Sequence, residues 1–178
     1  MIFVTVGTEI SFNRMVQVVD RWAAESGRTD IFAQIGETDW KPSYISFCKF
    51  LPPPEYKRRF EEASIIISHA GMGTIISALD AAKPILVMPR RALLREHRNE
   101  HQLATARRMK GRVHVAFDET ELRQQLMDID HLTAHSVISK FADEGLMSII
   151  QQFIQQRQAQ EFQAMKNTVN QNEGSAIE

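Results

Sequence analysis

The chain has 178 residues, of which 43% are hydrophobic and 24% charged, and its formal net charge is -1. These values are typical of one globular domain that buries a core without disulfides or metals. Because the net charge is close to zero and no known nucleic-acid-binding motif is present, we expect no nucleic-acid partner. No apolar run reaches the roughly 20 residues of a membrane span, and residues 2–6 are too short for a signal peptide. The only cysteine, Cys48, fits a reducing compartment.

Short apolar runs alternate with helical patterns along the first 130 residues. The runs predict strands over residues 2–6, 31–35, 44–51, 64–68, 84–88 and 112–116. The patterns predict helices over residues 12–24, 55–63, 74–82, 99–109 and 119–127. This βαβα succession predicts an α/β fold, a Rossmann-like parallel sheet with helices on both faces.

Local signals predict where some of these helices begin. Ser11 or Asn13 is expected to cap the first helix, because either side-chain oxygen can accept an orphan backbone N–H. Asp118 is expected to cap the helix at residues 119–127 in the same way. The three prolines at residues 52–54 cannot continue a strand interior and are expected to form a rigid turn.

The C-terminal region differs in composition from the rest of the chain. A last helix is predicted from about residue 134 to residue 160, and the polar residues from 167 onward carry too little apolar surface to pack. The predicted organisation is therefore a Rossmann-like domain at residues 1–130, a helical extension at 131–166 and a disordered tail at 167–178.

Ligands of open parallel sheets bind beyond the carboxyl ends of the strands. The predicted strand ends are followed by four loops of unusual composition, at residues 6–9, 35–38, 68–74 and 89–102. A binding site is therefore expected where these loops meet.

The loop at residues 68–74 is the strongest candidate. Its glycines, Gly71 and Gly73, allow the backbone to approach a ligand closely, and Thr74 opens a helix. Unpaired N–H groups at a helix N-terminus suit a diphosphate, and His69 can donate to a phosphate or sugar oxygen. The alternative for this segment is an ordinary tight turn from strand to helix.

The loop at residues 89–102 ends in a dense set of hydrogen-bonding side chains at residues 96–102, of the kind that reads sugar hydroxyls. His97 and His101 are four residues apart and could share a helix face as zinc ligands. Arg98 between them opposes a cation, so we predict no metal site. The alternatives are a solvated helix start and, for the arginines of this segment, ordinary surface.

Several stretches match a known pattern in order and spacing: residues 2–8, 34–36, 67–74, 83–90 and 96–102. In these stretches the chain resembles the C-terminal, donor-binding domain of family-28 glycosyltransferases, which are two-domain enzymes of the GT-B type. It looks most similar to the free-standing PssE-like subunits of bacterial exopolysaccharide synthesis. The resemblance implies an inverting glycosyltransferase that uses a UDP-sugar as donor substrate and needs no cofactor.

The resemblance also implies where the donor binds. The Gly7 loop and the turn from His69 to Thr74 would hold the diphosphate, strand ends near Pro89 would face the uracil, and residues 100–102 would read the sugar. The implied donor-binding residues are Gly7, Thr8, His69, Gly71, Met72, Gly73, Thr74, Ser77, Arg90, Glu96, His97, Asn99, Glu100, His101 and Gln102.

One position departs from the family pattern. The family usually has a glutamate in the helix after the glycine turn, where it holds the ribose hydroxyls, and this chain has Ser77 there. A serine hydroxyl or a water molecule can substitute for that contact.

A GT-B enzyme has two such domains, and this chain is long enough for one. The resemblance therefore implies a membrane-anchored, PssD-like partner subunit that binds a lipid-diphosphate-linked acceptor and holds this chain at the cytoplasmic face of the membrane. The catalytic base stays unassigned, with His69 and Glu9 as candidates in this chain and the partner as the other source. Two alternatives stay open: a non-catalytic accessory protein that stabilises or recruits a membrane glycosyltransferase, and a generic nucleotide-binding module.

Overall fold

The structure is a computed structural model, and it describes residues 1–8 and 10–134. Glu9 lies outside the described residues. The predicted helix at residues 134–160 lies outside them beyond its first residue, and so does the predicted tail at 167–178. The division into a domain, an extension and a tail therefore stays a prediction.

The described part of the chain contains one parallel sheet of six strands, in the order β3-β2-β1-β4-β5-β6. The strands are β1 (Ile2–Thr5), β2 (Ile31–Gln34), β3 (Ser46–Cys48), β4 (Ile65–His69), β5 (Ile85–Met88) and β6 (His114–Val115). The chain crosses from one half of the sheet to the other between β3 and β4, so β1 and β4 are neighbours. Thr5 pairs with Ser68 at their carboxyl ends, which places the two following loops side by side.

The same residues form five α-helices, of which the first four lie between strands and the last follows β6. They are α1 (Asn13–Ser26), α2 (Pro53–Glu62), α3 (Met72–Asp80), α4 (His101–Met109) and α5 (Glu119–Met127). Short 3-10 turns lie at Ala92–Leu94 and Ile129–His131. Each strand and helix predicted for residues 1–130 is present, with ends that differ by a few residues.

The sheet buries both of its faces. Ile2 and Val4 of β1 belong to a core cluster that also contains Met15 and Val19 of α1. Phe3, between them in the sequence, belongs to a second cluster on the other face with Ile75 of α3. This alternation follows from the period of two along a strand, and it confirms the prediction of a Rossmann-like sheet with helices on both faces.

The prediction for the start of α1 is wrong. The residue at the N-cap is Phe12, and neither Ser11 nor Asn13 makes a capping hydrogen bond. The Phe12 ring is buried, so packing against the core sets the start of this helix in place of a side-chain cap. The prediction for α5 is confirmed, because a carboxylate oxygen of Asp118 accepts the N–H of Glu121 at 2.8 Å.

The prediction of a turn at the three prolines is also wrong in part. Pro53 and Pro54 are the first two residues of α2, and only Pro52 lies outside the helix. The first N–H groups of a helix have no partner within it, so proline loses no hydrogen bond there and its fixed φ suits the helix. The Pro52 carbonyl then accepts the N–H of Tyr56 at 2.9 Å, which closes the first turn.

Candidate functional site

A cleft of about 400 Å³ opens at the carboxyl ends of β1 and β4, where the strand order switches direction. Nine of the predicted site residues line it: Gly7, Thr8, His69, Gly71, Gly73, Thr74, Ser77, Arg90 and Gln102. Three further lining residues were not predicted: Val6, Gln34 and Tyr56. The crevice at such a switch point is the usual ligand site of an open α/β sheet.

The imidazole of His69 lies between two glycine backbones in this cleft. A Cβ atom at Gly7 would lie 2.7 Å from the ring Cε1 of His69, and a Cβ at Gly71 would overlap its Nε2. The other ring nitrogen, Nδ1, is 3.3 Å from the hydroxyl oxygen of Ser68. The two glycines are therefore needed for the ring to lie where it does, and Gly7 also has a φ of 79°.

The N-terminus of α3 lies at the same cleft. Gly71 is its N-cap residue, so no side chain caps the first N–H groups of α3, and Gly73 and Thr74 of this first turn line the cleft. A Cβ atom at Gly73 would meet no heavy atom within 4 Å, so open space lies beside this glycine. The Ser77 hydroxyl donates to the Gly73 carbonyl at 2.9 Å, and its oxygen retains acceptor capacity.

Gln34, at the carboxyl end of β2, holds the Gly7 loop in place. Its side chain is 1% exposed, and its amide Nε2 donates to the Gly7 carbonyl at 3.0 Å. Its Oε1 accepts the N–H of Leu51 at 2.9 Å, so one amide joins the loops after β1 and β3. The available sequence signal was a glutamine at the end of an otherwise apolar, buried strand.

Arg90 has a structural task that the sequence does not reveal. Its side chain is 2% exposed, and its guanidinium donates to four backbone carbonyls. These belong to Val6 at 2.6 Å, Ser11 at 3.2 Å, Glu96 at 3.4 Å and also Ile10. Arg90 therefore ties the loop after β1 to the loop after β5 and forms part of the cleft wall.

Glu96 is engaged by a neighbouring arginine. Its carboxylate accepts two hydrogen bonds from Arg14, at 2.6 and 2.8 Å, and one from the N–H of Arg91 at 2.9 Å. Burial lowers the pKa of Arg14, but the hydrogen bonds and charges of Glu96 and Glu119 outweigh burial, so its pKa is raised. This pair stabilises the loop after β5, and Glu96 does not line the cleft.

The next residues of this loop bond to one another in the same manner. A carboxylate oxygen of Glu100 accepts the N–H of Ala92 at 2.9 Å. The side-chain oxygen of Asn99 lies 3.1 Å from Nδ1 of His97 and accepts the N–H of His101 at 3.2 Å. An irregular loop must pair its own polar groups, and these side chains do so.

Six predicted residues therefore lie outside the lining of the cleft: Met72, Glu96, His97, Asn99, Glu100 and His101. Of the site residues predicted within residues 96–102, only Gln102 lines the cleft. Its Oε1 accepts the N–H of Arg90 at 3.2 Å. Sugar recognition by residues 96–101 stays a prediction.

No group of three or more potential metal ligands gathers anywhere in residues 1–8 and 10–134. The helices in that part of the chain are each too short or too polar to cross a membrane.

A six-stranded parallel sheet with helices on both faces and a cleft at the switch point defines a Rossmann-like domain, matching one half of a GT-B glycosyltransferase. Residues 1–153 match the family described as Glycosyltransferase family 28 C-terminal domain, and the chain belongs to this family.

A human relative, the UDP-N-acetylglucosamine transferase subunit ALG13, is 31% identical over 128 residues. The match covers 65% of this chain and 11% of that protein, so the chain spans about a ninth of this relative's length.

Solved structures support the same fold. The NMR structure of ALG13 has a TM-score of 0.54 at 18% identity and covers 78% of this chain and 89% of that one. Acinetobacter baumannii MurG has a TM-score of 0.54 at 16% identity, covering 72% of this chain and 41% of that chain. The glycotransferase of kitacinnamycin has a TM-score of 0.53 at 17% identity, covering 73% and 34% respectively. At these identities the likeness concerns the fold alone.

Proposed function

We propose that the chain is the donor-binding subunit of a two-subunit inverting glycosyltransferase. The complex transfers a sugar from a UDP-sugar to a lipid-diphosphate-linked acceptor in exopolysaccharide or capsule synthesis, in the manner of PssE-like subunits. One observation carries the proposal: the cleft in which His69 lies between Gly7 and Gly71, beside the uncapped start of α3.

This arrangement suits a nucleoside diphosphate. The first N–H groups of α3 carry partial positive charge, and a diphosphate can approach them closely because Gly71 and Gly73 have no side chains. The imidazole of His69 adds a ring N–H donor at the same end of the cleft. Together these donors offset the charge of the diphosphate, so the proposed reaction needs no metal ion and no cofactor.

We assign sugar recognition in the cleft to Gln102. The Arg90 N–H fixes the orientation of the Gln102 amide, whose own N–H groups can donate to a sugar hydroxyl. Ser77 lines the same cleft, and its oxygen can accept a hydrogen bond from a ribose hydroxyl while its own O–H donates to the Gly73 carbonyl.

The acceptor and its activation are assigned to a partner. The human relative is named as a subunit of its transferase, which supports a two-subunit arrangement for this chain. We propose a membrane-anchored, PssD-like partner that binds the lipid-linked acceptor, supplies the catalytic base and holds this chain at the cytoplasmic face of the membrane.

Calorimetric titration of the chain with UDP tests donor binding. His69→Ala removes a ring donor from the cleft and should weaken UDP binding by about tenfold, the effect of losing one hydrogen bond to a charged group. His131→Ala is the matched control, because His131 is an exposed histidine away from the cleft, and it should bind UDP like the wild type. No UDP binding by the wild type, alone or with the partner, would refute the proposal.

A second measurement separates a catalytic subunit from an accessory protein. The complex with the partner is assayed for sugar transfer with the wild type and with the His69→Ala chain. If the chain is a donor-binding subunit, His69→Ala should lower the rate of sugar transfer at limiting UDP-sugar. Unchanged transfer, with the complex intact, would favour the non-catalytic accessory function.

A further inference from the structure

The turn that follows β5 presents two leucines to solvent. Leu93 is 83% exposed and Leu94 is 56% exposed, and Leu93 is the most exposed large apolar side chain in the described residues. Adjacent apolar side chains that are exposed and rimmed by polar residues are typical of a surface that contacts a membrane or a partner.

The backbone of this turn is firmly held. Glu100 accepts the N–H of Ala92 at 2.9 Å, and the N–H of Arg95 donates to the Ala92 carbonyl at 2.9 Å. Arg95 then adopts a φ of 58°, which reverses the chain directly after the leucines. The exposure of the two leucines is therefore built into a hydrogen-bonded turn.

Arginines flank the two leucines in the sequence. Arg95 and Arg98 are exposed, and neither forms an ion pair within the part of the chain that the structure describes. The acidic residues of the same segment are already engaged, since Glu96 pairs with Arg14 and Glu100 with Arg91. The tip is therefore apolar, and its rim carries positive charge that is not balanced locally.

We propose that this turn docks the chain on an anionic lipid bilayer. Aliphatic side chains can enter the boundary between headgroups and acyl chains, while arginine side chains reach back to the anionic headgroups. The bilayer is the proposed occupant because the positive charge beside the leucines is complementary to anionic headgroups, and a protein partner at this turn is an outcome of the test.

This inference goes beyond the proposed function, because the chain itself makes the membrane contact. The turn follows the carboxyl end of β5, at the sheet edge where the cleft opens. If the proposed function holds, docking would bring the donor close to the plane in which a lipid-linked acceptor lies.

Flotation of the full chain with vesicles tests the proposal. Vesicles of phosphatidylcholine with phosphatidylglycerol should bind the chain, and vesicles of phosphatidylcholine alone should bind it more weakly. The double variant Leu93→Ser/Leu94→Ser should lower the partition coefficient by about tenfold or more. Arg95→Gln/Arg98→Gln should lower it several-fold and reduce its dependence on salt.

Met127→Ser is the matched control, because Met127 is 75% exposed on α5 and lies outside the turn. It should bind vesicles like the wild type. All of these side chains are exposed, and thermal melts check that each variant is folded. Titration of the same variants with UDP reads the donor site separately, so failure of one proposal is distinguishable from failure of the other.

Three outcomes would overturn the docking proposal. The first is no binding of the wild type to anionic vesicles. The second is undiminished binding by the leucine variant, which would place the contact elsewhere in the chain. The third is loss of a protein partner by the leucine variant while vesicle binding persists, which would make the turn a protein interface.

Discussion

The loops after β4 and β5 contribute to the same cleft by opposite means. The loop after β4 is short and built from small residues around His69, and it leaves open space beside Gly73. The loop after β5 is long and polar, yet the side chains of Glu96 and Glu100 are bonded to groups of the protein itself. A segment rich in hydrogen-bonding groups can thus be a scaffold, while a segment poor in them lines the open part of the cleft.

The difference has a physical origin. A long irregular loop leaves many backbone N–H and C=O groups without regular partners, and the side chains of the loop after β5 satisfy them. A short glycine turn at the start of a helix leaves N–H groups unpaired and provides room for a ligand to pair with them. Substitutions in the two loops should therefore affect different quantities, stability in one and ligand affinity in the other.

The largest effect is expected at Arg90. Arg90→Met keeps most of the side-chain volume but removes the donor to four backbone carbonyls. We expect the free energy of unfolding to fall by about 3 kcal/mol, because buried acceptors lose a charged donor. Urea denaturation measures this change, and Arg98→Met, at an exposed arginine, should change stability by less than about 0.5 kcal/mol. Equal effects of the two variants would contradict the scaffold role.

Glu96→Gln should have the next largest effect on stability. It removes the charge that pairs with Arg14, where both side chains are mostly buried, and should lower the free energy of unfolding by roughly 2 kcal/mol. Glu119→Gln is the control at the same arginine, because Glu119 is 47% exposed and its loss should change stability by about 0.5 kcal/mol. In Glu96→Gln the ratio of UDP-sugar affinity to UDP affinity should not change. A selective loss of UDP-sugar binding would show that Glu96 contacts the sugar.

Gly71→Ala should affect binding more than folding. Its Cβ displaces the imidazole of His69, so UDP affinity should fall by about tenfold, or about 1.4 kcal/mol. Gly73→Ala is the comparison that separates displacement of His69 from a direct clash with the ligand. Its Cβ meets no protein atom, so any loss of affinity in this variant comes from contact with the ligand itself. Calorimetry measures both. Wild-type affinity in Gly71→Ala would show that the position of His69 does not matter for UDP.

Ser77→Ala is expected to have the smallest effect. It removes an exposed hydroxyl that bonds back to Gly73, which should change stability by less than about 0.5 kcal/mol. If Ser77 accepts a ribose hydroxyl, UDP affinity should fall several-fold while the affinity for pyrophosphate is unchanged. Equal losses for both ligands would assign the effect to the start of α3 and exclude a ribose contact.

The sequence predicted the sheet because each strand is an apolar run ended by glycine, proline or a polar loop. It also predicted the turn at His69, because Gly71 and Gly73 lie between a buried strand and a helix. Asp118 was predictable as a cap because its partner, the N–H of Glu121, is three residues away. Each of these features depends on residues that are close together in the sequence.

The contacts that sequence reasoning missed join distant segments. Arg90 reaches carbonyls 79 to 84 residues away, and Gln34 reaches Gly7 across 27 residues. Tyr56 lines the cleft from α2, whose packing against the sheet places its ring edge-on to Phe3. Nothing local distinguishes such an arginine from a surface residue, so its scaffold role follows only from the folded arrangement.

The side-chain amide of Gln34, which joins the loops after β1 and β3, gives the molecule a native spectroscopic probe. A side-chain amide held on both sides by backbone groups should give well-dispersed NMR resonances with slow exchange, because solvent does not reach it. Gly7 and Leu51 lie on either side of it, so a nucleotide that shifts the Gly7 loop would move these resonances without any label at the binding site. One glutamine could thus report donor arrival in a chain that keeps its natural sequence.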